Sequence, residues 1–443
     1  MSGSGISEVR TIASVAAAGM SDMTAANRTG LGQRSALMPR HSSCRASTIR
    51  IIGGIKSILT ARRAAEIEPF EVMDVLARAQ ALERAGRRVV HMEIGEPDFT
   101  ATDAVVEAGV RAMREGRTAY TATLGLQALR EAIAAHYLSR FGADVPPARI
   151  AITSGASGGL LCVTALYVDA GDEILVPDPG YPGYRHFVRA FEGVAKILPV
   201  SAQSDFQPTL DMVRNAWGPR TKGLLLGSPS NPTGTLISVG ELRRIAEFIA
   251  ARGGVLMVDE IYQGLVYGME PWTAFGLPGD VVLINSFSKY FCMTGWRLGW
   301  VVLPQPAMRG FEKLAQHLFI SAPAAAQHAA IAAFSRQSLE TLEQRRSEFA
   351  RRRDFLVPQL RKAGLSVPAE PHGAFYVYAD VGGDARRFAR DLLENEAVAA
   401  TPGVDFGANG TERYVRFAYT RSMEDLEEAA RRIARFACAP SSG

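Results

Sequence analysis

The sequence predicts an α/β protein in which a large domain is built around a mostly parallel sheet with one antiparallel strand, and a smaller α+β domain follows. Between about residues 125 and 305, short apolar runs alternate with helical stretches, as in βαβ units with buried strands. Only about a dozen residues separate VVLIN from LGWVVLP (298–304), too few for a helical crossover, so that last strand is predicted to be antiparallel.

Composition limits the class of protein. The chain has 443 residues, 47% hydrophobic and 21% charged, which is ordinary globular composition and enough for two domains. Residues 1–60 hold seven of the 49 Lys/Arg and two of the 45 Asp/Glu, so the remainder carries 42 basic against 43 acidic residues. That near-neutral body argues against a nucleic-acid partner.

Cysteine usage and hydropathy bear on location. The four cysteines are scattered without a CxxC pair, which fits neither a disulfide framework nor a zinc site and favours a reducing compartment. No apolar run reaches the roughly 18–20 residues that a membrane helix needs. We therefore expect a cytoplasmic protein with no metal and no membrane partner.

The N-terminal part divides in two. Residues 1–64, rich in Ser, Ala, Gly and Arg, are predicted to be a disordered or non-native extension. A transit peptide has the same composition, so that alternative stays open. Residues 65–100 are predicted to be an arm and helix that join the small domain. Within them, 70–86 has apolar residues at helical spacing and stops at Gly86, and 88–99 is predicted to be a short strand before a turn.

The large domain is predicted over residues 101–335. Its expected elements, in order, are a strand at 150–153, a helix at 158–168, strands at 173–177 and 222–229, a helix at 241–253, and strands at 255–262, 281–289 and 298–304.

The small domain is predicted over residues 336–443. A long charged helix is expected at 339–364, short strands at 373–381 and 412–420, and a last helix from about Met423 to Phe436.

Polar clusters follow the carboxyl ends of the predicted strands. TSGAS follows IAI, DPGYPGY follows EILVP, SNPTG follows GLLLG, DEIY follows VLMV, and SFSK follows VVLIN. Ligands of open α/β sheets bind at this edge. The five clusters therefore predict a single site.

Two of these clusters have the chemistry of a phosphate site beside a reactive amine. TSGASGGL places small residues at a strand-to-helix turn, where free N–H groups suit a phosphate. Arg297 and the hydroxyls of Ser286 and Ser288 would add donors to the same anion. Lys289 lies beside them in an apolar stretch, where burial and a nearby cation would make its amine a nucleophile toward carbonyls, although a lone lysine is more often a solvated surface residue.

Asp259 ends an equally apolar strand. A buried carboxylate needs a partner, and an aspartate there also serves as a helix cap in many proteins. If the partner is a basic ring nitrogen, Tyr181 could stack on the ring, and Asn231 and Tyr262 could donate to a ring oxygen. Lysine, carboxylate and phosphate cup are together the requirements of pyridoxal 5′-phosphate.

At this point the chain resembles the class I/II aminotransferases of PLP fold type I, the aspartate aminotransferase-like group. The motifs stand in family order from about Glu68 to the C-terminus: GEPDF, AYTATLGLQALR, TSGASGGL, PGYPGY, SNPTG, DEIY, SFSKYFCMTGWRLGW, PHGAFYVY and RYVRFAYT. Any one of them is weak, but the ordered set is specific.

The resemblance implies an L-α-amino acid:2-oxo acid aminotransferase, a transferase of nitrogenous groups, with a ping-pong mechanism through a Lys289 Schiff base. Lys289, Asp259 and Tyr262 would be the catalytic residues. Gly95, Asn231 and Arg416 would bind substrate, with Arg416 clamping the α-carboxylate. The implied cofactor-binding residues are Tyr120, Ala156, Ser157, Tyr181, Asn231, Asp259, Tyr262, Ser286, Ser288, Lys289 and Arg297. Tyr120 matches a tyrosine that reaches the neighbouring subunit's phosphate, which implies a homodimer.

Proteins with other functions share the same motifs. A PLP-dependent β-eliminating C–S lyase or a cyclase would keep Lys289, Asp259 and Arg416. A PLP-binding transcription regulator would need an N-terminal DNA-binding domain, and residues 1–60 contain no pair of amphipathic helices separated by a turn. No second arginine can be assigned to a dicarboxylate side chain, so the amino donor and the 2-oxo acid acceptor stay open.

Overall fold

A computed structural model describes residues 60–438 of the chain. The predictions made for residues 1–59 lie outside the described residues. The first helix, at Arg62–Glu66, begins within the segment predicted to be an extension and ends beyond residue 64. The domain boundaries at 64, 100 and 335 stay predictions.

The described residues form thirteen α-helices and twelve strands. The helices are α1 Arg62–Glu66, α2 Glu71–Arg84, α3 Asp103–Arg114, α4 Gln127–Phe141, α5 Gly155–Tyr167, α6 Gly183–Ala190, α7 Leu210–Ala216, α8 Val239–Ala250, α9 Met308–Leu318, α10 Ala324–Ile331, α11 Arg336–Lys362, α12 Ala385–Glu396 and α13 Met423–Cys438. The strands are β1 Val90–His91, β2 Ile150–Thr153, β3 Glu173–Asp178, β4 Val194–Pro199, β5 Thr221–Gly227, β6 Val255–Asp259, β7 Asp280–Ser286, β8 Gly299–Val302, β9 Tyr376–Asp380, β10 Val398–Ala399, β11 Thr401–Pro402 and β12 Tyr414–Ala418.

A seven-stranded sheet has the order β2-β8-β7-β6-β5-β3-β4. The pairs among β4, β3, β5, β6 and β7 are parallel, and β8 is antiparallel to both of its neighbours, β2 and β7. The predicted antiparallel strand is therefore confirmed. Its reversal matters for the site, because the start of β8 at Gly299 pairs with Thr153 and Ser286, the last residues of β2 and β7. Arg297 consequently enters at the same edge as the carboxyl ends of the parallel strands.

Both faces of this sheet are covered by apolar packing. Leu224 and Leu226 of β5 belong to one buried cluster, and Leu225 between them belongs to the other. The same alternation is seen in β6, where Leu256 and Met257 point to opposite clusters. Because both faces are buried, the strands are continuous apolar runs rather than alternating ones, and the α/β prediction is confirmed.

A second, three-stranded antiparallel sheet has the order β11-β12-β9, and β1 pairs with β10. In it Arg416 of β12 lies between Thr401 and Tyr378. The long helix α11 contributes Arg352, whose buried guanidinium makes two 2.9 Å hydrogen bonds to the carboxylate of Asp98. This paired charge fixes the loop after β1, which carries Gly95 into the site.

Most predicted elements are confirmed, with ends shifted by a few residues. The strand expected at 88–99 is only two residues long, because the chain leaves β1 to follow the wall of the site. Strand β4 was not predicted, since five of its six residues are exposed or half-buried at the sheet edge. Within residues 60–438, no helix combines the length and the apolar character needed to cross a membrane.

Candidate active site

One cavity of about 290 Å³ opens at the carboxyl edge of the large sheet. It takes side chains from the loops after β2, β3, β5, β6 and β7 and from β9 and β12 of the small sheet, and this edge is where open α/β sheets bind their ligands. The predicted site residues that line it are Gly95, Ala156, Ser157, Tyr181, Asn231, Asp259, Tyr262, Ser286, Ser288, Lys289, Arg297 and Arg416.

Lys289 follows β7 and extends its amine into the cavity. Its Nζ donates a hydrogen bond to the backbone oxygen of Gly95 at 2.6 Å. Burial lowers the pKa of Lys289 to about 8, and the charges of Arg416 and Arg297 act in the same direction against Glu96, which raises it. The site thus makes this amine easier to deprotonate than a surface lysine.

Asp259 is the last residue of β6 and is almost fully buried. Its carboxylate accepts hydrogen bonds from Tyr184 Oη at 2.9 Å and from Ile261 N at 3.1 Å, both uncharged donors. Burial raises the pKa of Asp259 to about 6 although these bonds lower it. A cationic ligand atom at this carboxylate would offset the burial and keep it ionised.

The turn from β2 into α5 is shaped to receive an anion. Gly155 has φ +73°, and a Cβ there would lie 2.5 Å from Arg297 Nη2. The N–H groups of a first helical turn, here including those of Ala156 and Ser157, have no partner within the helix, and the Ser154 side chain does not cap them. These amides and the Arg297 guanidinium therefore border the same space.

Two serines line the floor beside this turn. Ser286 and Ser288 are buried, with their hydroxyl oxygens 2.8 Å apart, and Ser288 N donates to Ser286 Oγ at 3.0 Å. Together with Arg297 they make a set of donors suited to a phosphate.

Two pairs of aromatic rings form walls of the cavity. Phe70 stacks on Tyr181 with ring centroids 6.2 Å apart and planes 23° apart. Tyr262 Oη lies 2.8 Å from Tyr376 Oη. A Cβ on Gly95 would lie 1.9 Å from Tyr376 Oη, so only glycine lets the backbone that holds Lys289 approach this ring.

Arg416 lies in the small sheet and is almost fully buried. Its Nη1 donates to Asn231 Oδ1 at 2.9 Å, and its Nη2 donates to Thr401 Oγ1 at 3.2 Å and to the backbone oxygen of Glu93. The guanidinium is thereby oriented by polar but uncharged groups, and its charge is left for a ligand.

Tyr120 is the one predicted site residue that this cavity does not include. It is 80% exposed, outside the cavity that holds Lys289 of the same chain. Its role at the neighbouring subunit's site stays a prediction.

Sequence reasoning missed several residues of the cavity, among them Phe70, Tyr184, Tyr376 and Asp405. Tyr184 lies in the first turn of α6, and Tyr181 lies just before that helix, so their nearness in sequence is the only local signal that could have linked them. For Phe70 and Asp405 no local pattern exists, because each reaches the site only through packing between distant segments.

The sheet order, the loops on one edge and the second sheet over that edge are the architecture of PLP fold type I. The class I and II aminotransferase family model matches residues 87–433. The chain therefore belongs to the class I and II aminotransferase family, whose members use pyridoxal phosphate.

Individual relatives agree. The chain is 39% identical over 381 residues to a (5-formylfuran-3-yl)methyl phosphate transaminase of Methanocaldococcus jannaschii. The aligned region covers 85% of this chain and 99% of that protein. It is 38% identical over 374 residues to a valine–pyruvate aminotransferase of Mycobacterium tuberculosis, covering 83% of this chain and 96% of that protein. The solved structure of aspartate aminotransferase from Thermus thermophilus with maleate matches with a TM-score of 0.81 at 33% identity, and the match covers 86% of this chain and all of that one.

Proposed function

We propose that this chain is a pyridoxal-phosphate-dependent aminotransferase that moves the amino group of an L-α-amino acid to a 2-oxo acid by a ping-pong mechanism. One observation carries the proposal: a half-buried amine with a lowered pKa, Lys289, shares a cavity with a buried carboxylate that lacks a cationic hydrogen-bond partner among the described residues, Asp259. An uncapped helix N-terminus and an arginine border the same cavity.

The residues fit the cofactor at each end. The amides of Ala156 and Ser157, the hydroxyls of Ser286 and Ser288 and the Arg297 guanidinium would hold its phosphate. At the opposite end, Asp259 would hold the ring nitrogen. Between these ends, Tyr181 would pack on the ring face, and Asn231 and Tyr262 would donate to the ring oxygen. Pyridoxal phosphate, when bound, supplies a carbonyl that bonds to amines and a ring that accepts electrons.

The chain's own groups would orient the substrate and move its proton. Arg416 would hold the α-carboxylate, with Asn231 fixing the guanidinium through Oδ1. Lys289, whose pKa is lowered to about 8, would carry the proton at the substrate α-carbon. Asp259 would stay ionised opposite a cation, and such preorganised charge is worth several kcal/mol in a site of this kind.

We further propose a homodimer in which Tyr120 crosses to the partner subunit, and a cytoplasmic location. The exposed position of Tyr120 supports the first. Two free cysteines in the described residues, Cys162 and Cys292, are buried thiols, as suits a reducing compartment. Cell fractionation with an antibody to the chain tests the location.

The variant Lys289→Ala tests the central proposal. We expect it to fold, because the amine makes one hydrogen bond, and to lose turnover by at least about 10³-fold. Mass spectrometry of protein treated with pyridoxal phosphate and borohydride should show an adduct on Lys289 of the wild type and none in the variant. A wild type that stays unlabelled, or a variant that transaminates normally, contradicts the proposal.

Product analysis separates transfer from elimination. With an amino acid and no acceptor, transfer would convert the bound cofactor to its amine form and stop after the first half-reaction. Continuous release of pyruvate and ammonia from a cysteine conjugate, with no transfer, would instead identify a C–S lyase.

A further inference from the structure

The cationic side chains that line the cavity all have a role in the proposed function. Among the described residues around it, these are Lys289, Arg297 and Arg416. Lys289 is the reactive amine, Arg297 borders the anion cradle at Gly155, and Arg416 faces the α-carboxylate position. A second carboxylate on a substrate would therefore meet no free cation among the described residues of this chain.

An acidic residue lies on the wall instead. Asp405 is nearly buried and lines the cavity near Arg416. Its Oδ1 accepts a hydrogen bond from Glu71 N, the first residue of α2, at 2.8 Å. Burial raises the pKa of Asp405, but this bond and the charge of Arg416 oppose the change. A substrate carboxylate that approached it would face like charge in a poorly hydrated space, which is unfavourable.

The remaining wall around Arg416 is apolar. Its Cζ lies 4.4 Å from the ring centroid of Tyr376 and 4.7 Å from that of Phe406. Phe70, Val72 and Ile94 continue the lining. A substrate whose α-carboxylate meets Arg416 therefore places its side chain among aromatic and aliphatic groups, where an uncharged chain is favoured over an ionised one.

We propose that this site selects amino acids and 2-oxo acids with uncharged, mainly apolar side chains over dicarboxylic ones, and that Asp405 is a specificity-determining residue. This inference rests on the proposed aminotransferase function. It adds the substrate class of the same site.

The test is the single half-reaction of the holoenzyme, followed by the absorbance of the bound cofactor. Leucine, methionine and phenylalanine are each compared with aspartate and glutamate as the only amino acid present. We expect the second-order rate constant to be at least tenfold greater for the neutral amino acids, a ratio worth about 1.4 kcal/mol. Equal or faster reaction with aspartate or glutamate overturns the inference and leaves the proposed function standing. No reaction with any amino acid overturns both.

Asp405→Asn tests the residue itself. The amide oxygen still accepts from Glu71 N–H, so the start of α2 keeps its contact while the charge is removed. We expect the preference for neutral over acidic amino acids to fall several-fold through faster reaction of aspartate and glutamate. Glu412→Gln, an exposed acid outside the cavity, is the matched control and should leave the preference unchanged. An Asp405→Asn protein with the wild-type preference overturns the role of Asp405.

Discussion

Burial and two neighbouring cations act on the amine of Lys289 in the same direction. Both favour the neutral amine, since the ammonium form loses hydration and meets Arg416 and Arg297. At Asp259 burial also favours the neutral form, and hydrogen bonds from Tyr184 and Ile261 oppose it. The two groups therefore titrate closer to neutrality than their exposed counterparts, as acid–base residues of active sites do.

The pKa of Lys289 predicts how cofactor uptake depends on pH. The reactive free amine forms as pH rises through about 8, so the rate at which apoprotein takes up pyridoxal phosphate should increase up to that pH and then level off. Stopped-flow absorbance between about pH 6 and pH 10 measures it. A lysine that kept its ordinary pKa of 10.5 would give a rate that still rises well above pH 8 and would contradict the prediction.

Tyr184→Phe removes the hydroxyl that donates to Asp259. That bond lowers the pKa of Asp259, so its loss raises the pKa, and the carboxylate becomes protonated at a higher pH. We expect cofactor affinity to fall about tenfold at neutral pH and its loss on acidification to begin at higher pH. Equilibrium titration with pyridoxal phosphate measures both.

Tyr167→Phe is the control for Tyr184→Phe. The Tyr167 hydroxyl is also shielded from solvent and has no hydrogen-bond partner among the described residues. Removing the Tyr167 hydroxyl should leave the affinity for pyridoxal phosphate, and the pH dependence of that affinity, unchanged. If the two variants bound pyridoxal phosphate with the same affinity and the same pH dependence, the Tyr184 hydrogen bond would not act on Asp259.

At the scale of elements, the first turn of α5 and the reversed strand β8 together build the anion cradle. The helix supplies unpartnered amides, and the strand brings Arg297 to the same edge because it runs against β2 and β7. Neither element is sufficient alone. The close approach of Gly155 to Arg297 shows how tightly they meet.

Gly155→Ala tests this junction. The new methyl group would lie 2.5 Å from Arg297 Nη2 on a residue with φ +73°, so the turn is strained and Arg297 is displaced. We expect the affinity for inorganic phosphate and for pyridoxal phosphate to fall at least about tenfold, since a charge-assisted contact is lost. Isothermal titration measures both ligands.

Gly240→Ala provides the comparison. Gly240 lies in the first turn of α8, and a Cβ there would have no heavy atom within 4 Å. This variant should bind both ligands as the wild type does. Equal affinities for all three proteins would rule out the cradle as the phosphate site.

At the scale of the whole molecule, helix α3 exposes large apolar side chains to solvent. Val106, Val110 and Met113 of α3 follow one another at helical spacing and are 41%, 36% and 57% exposed. Tyr120, which is also exposed, lies a few residues after the end of α3. Such a face supports the proposed homodimer, in which it would be covered by a second copy.

A mixing experiment tests whether Tyr120 serves the partner's site. Lys289→Ala and Tyr120→Ala are each expected to be nearly inactive as pure dimers. After the two are unfolded and refolded together, a mixed dimer has one site with both residues intact, so about a quarter of wild-type activity should return. Light scattering should give the mass of a dimer for each protein. A monomer, or no recovered activity in mixed dimers, contradicts the proposal.

What the sequence determined by itself is the set of elements and the residues that end them. Apolar runs such as VLMV and VVLIN specify buried strands because their pattern is local, and the polar groups that follow, Asp259 and Lys289, had to share an edge once the strands were parallel. The short link before β8 also determined its direction.

Only the tertiary structure decided what surrounds those groups. Tyr184 meets Asp259 across 75 positions, and Asp405 meets Glu71 across 334, through the packing of separate elements. No periodicity in a segment encodes such contacts, because they depend on how whole elements are placed against each other. The gathering of these residues at one sheet edge could therefore be predicted from sequence, whereas the charge balance of the cavity and the shape of its wall could not.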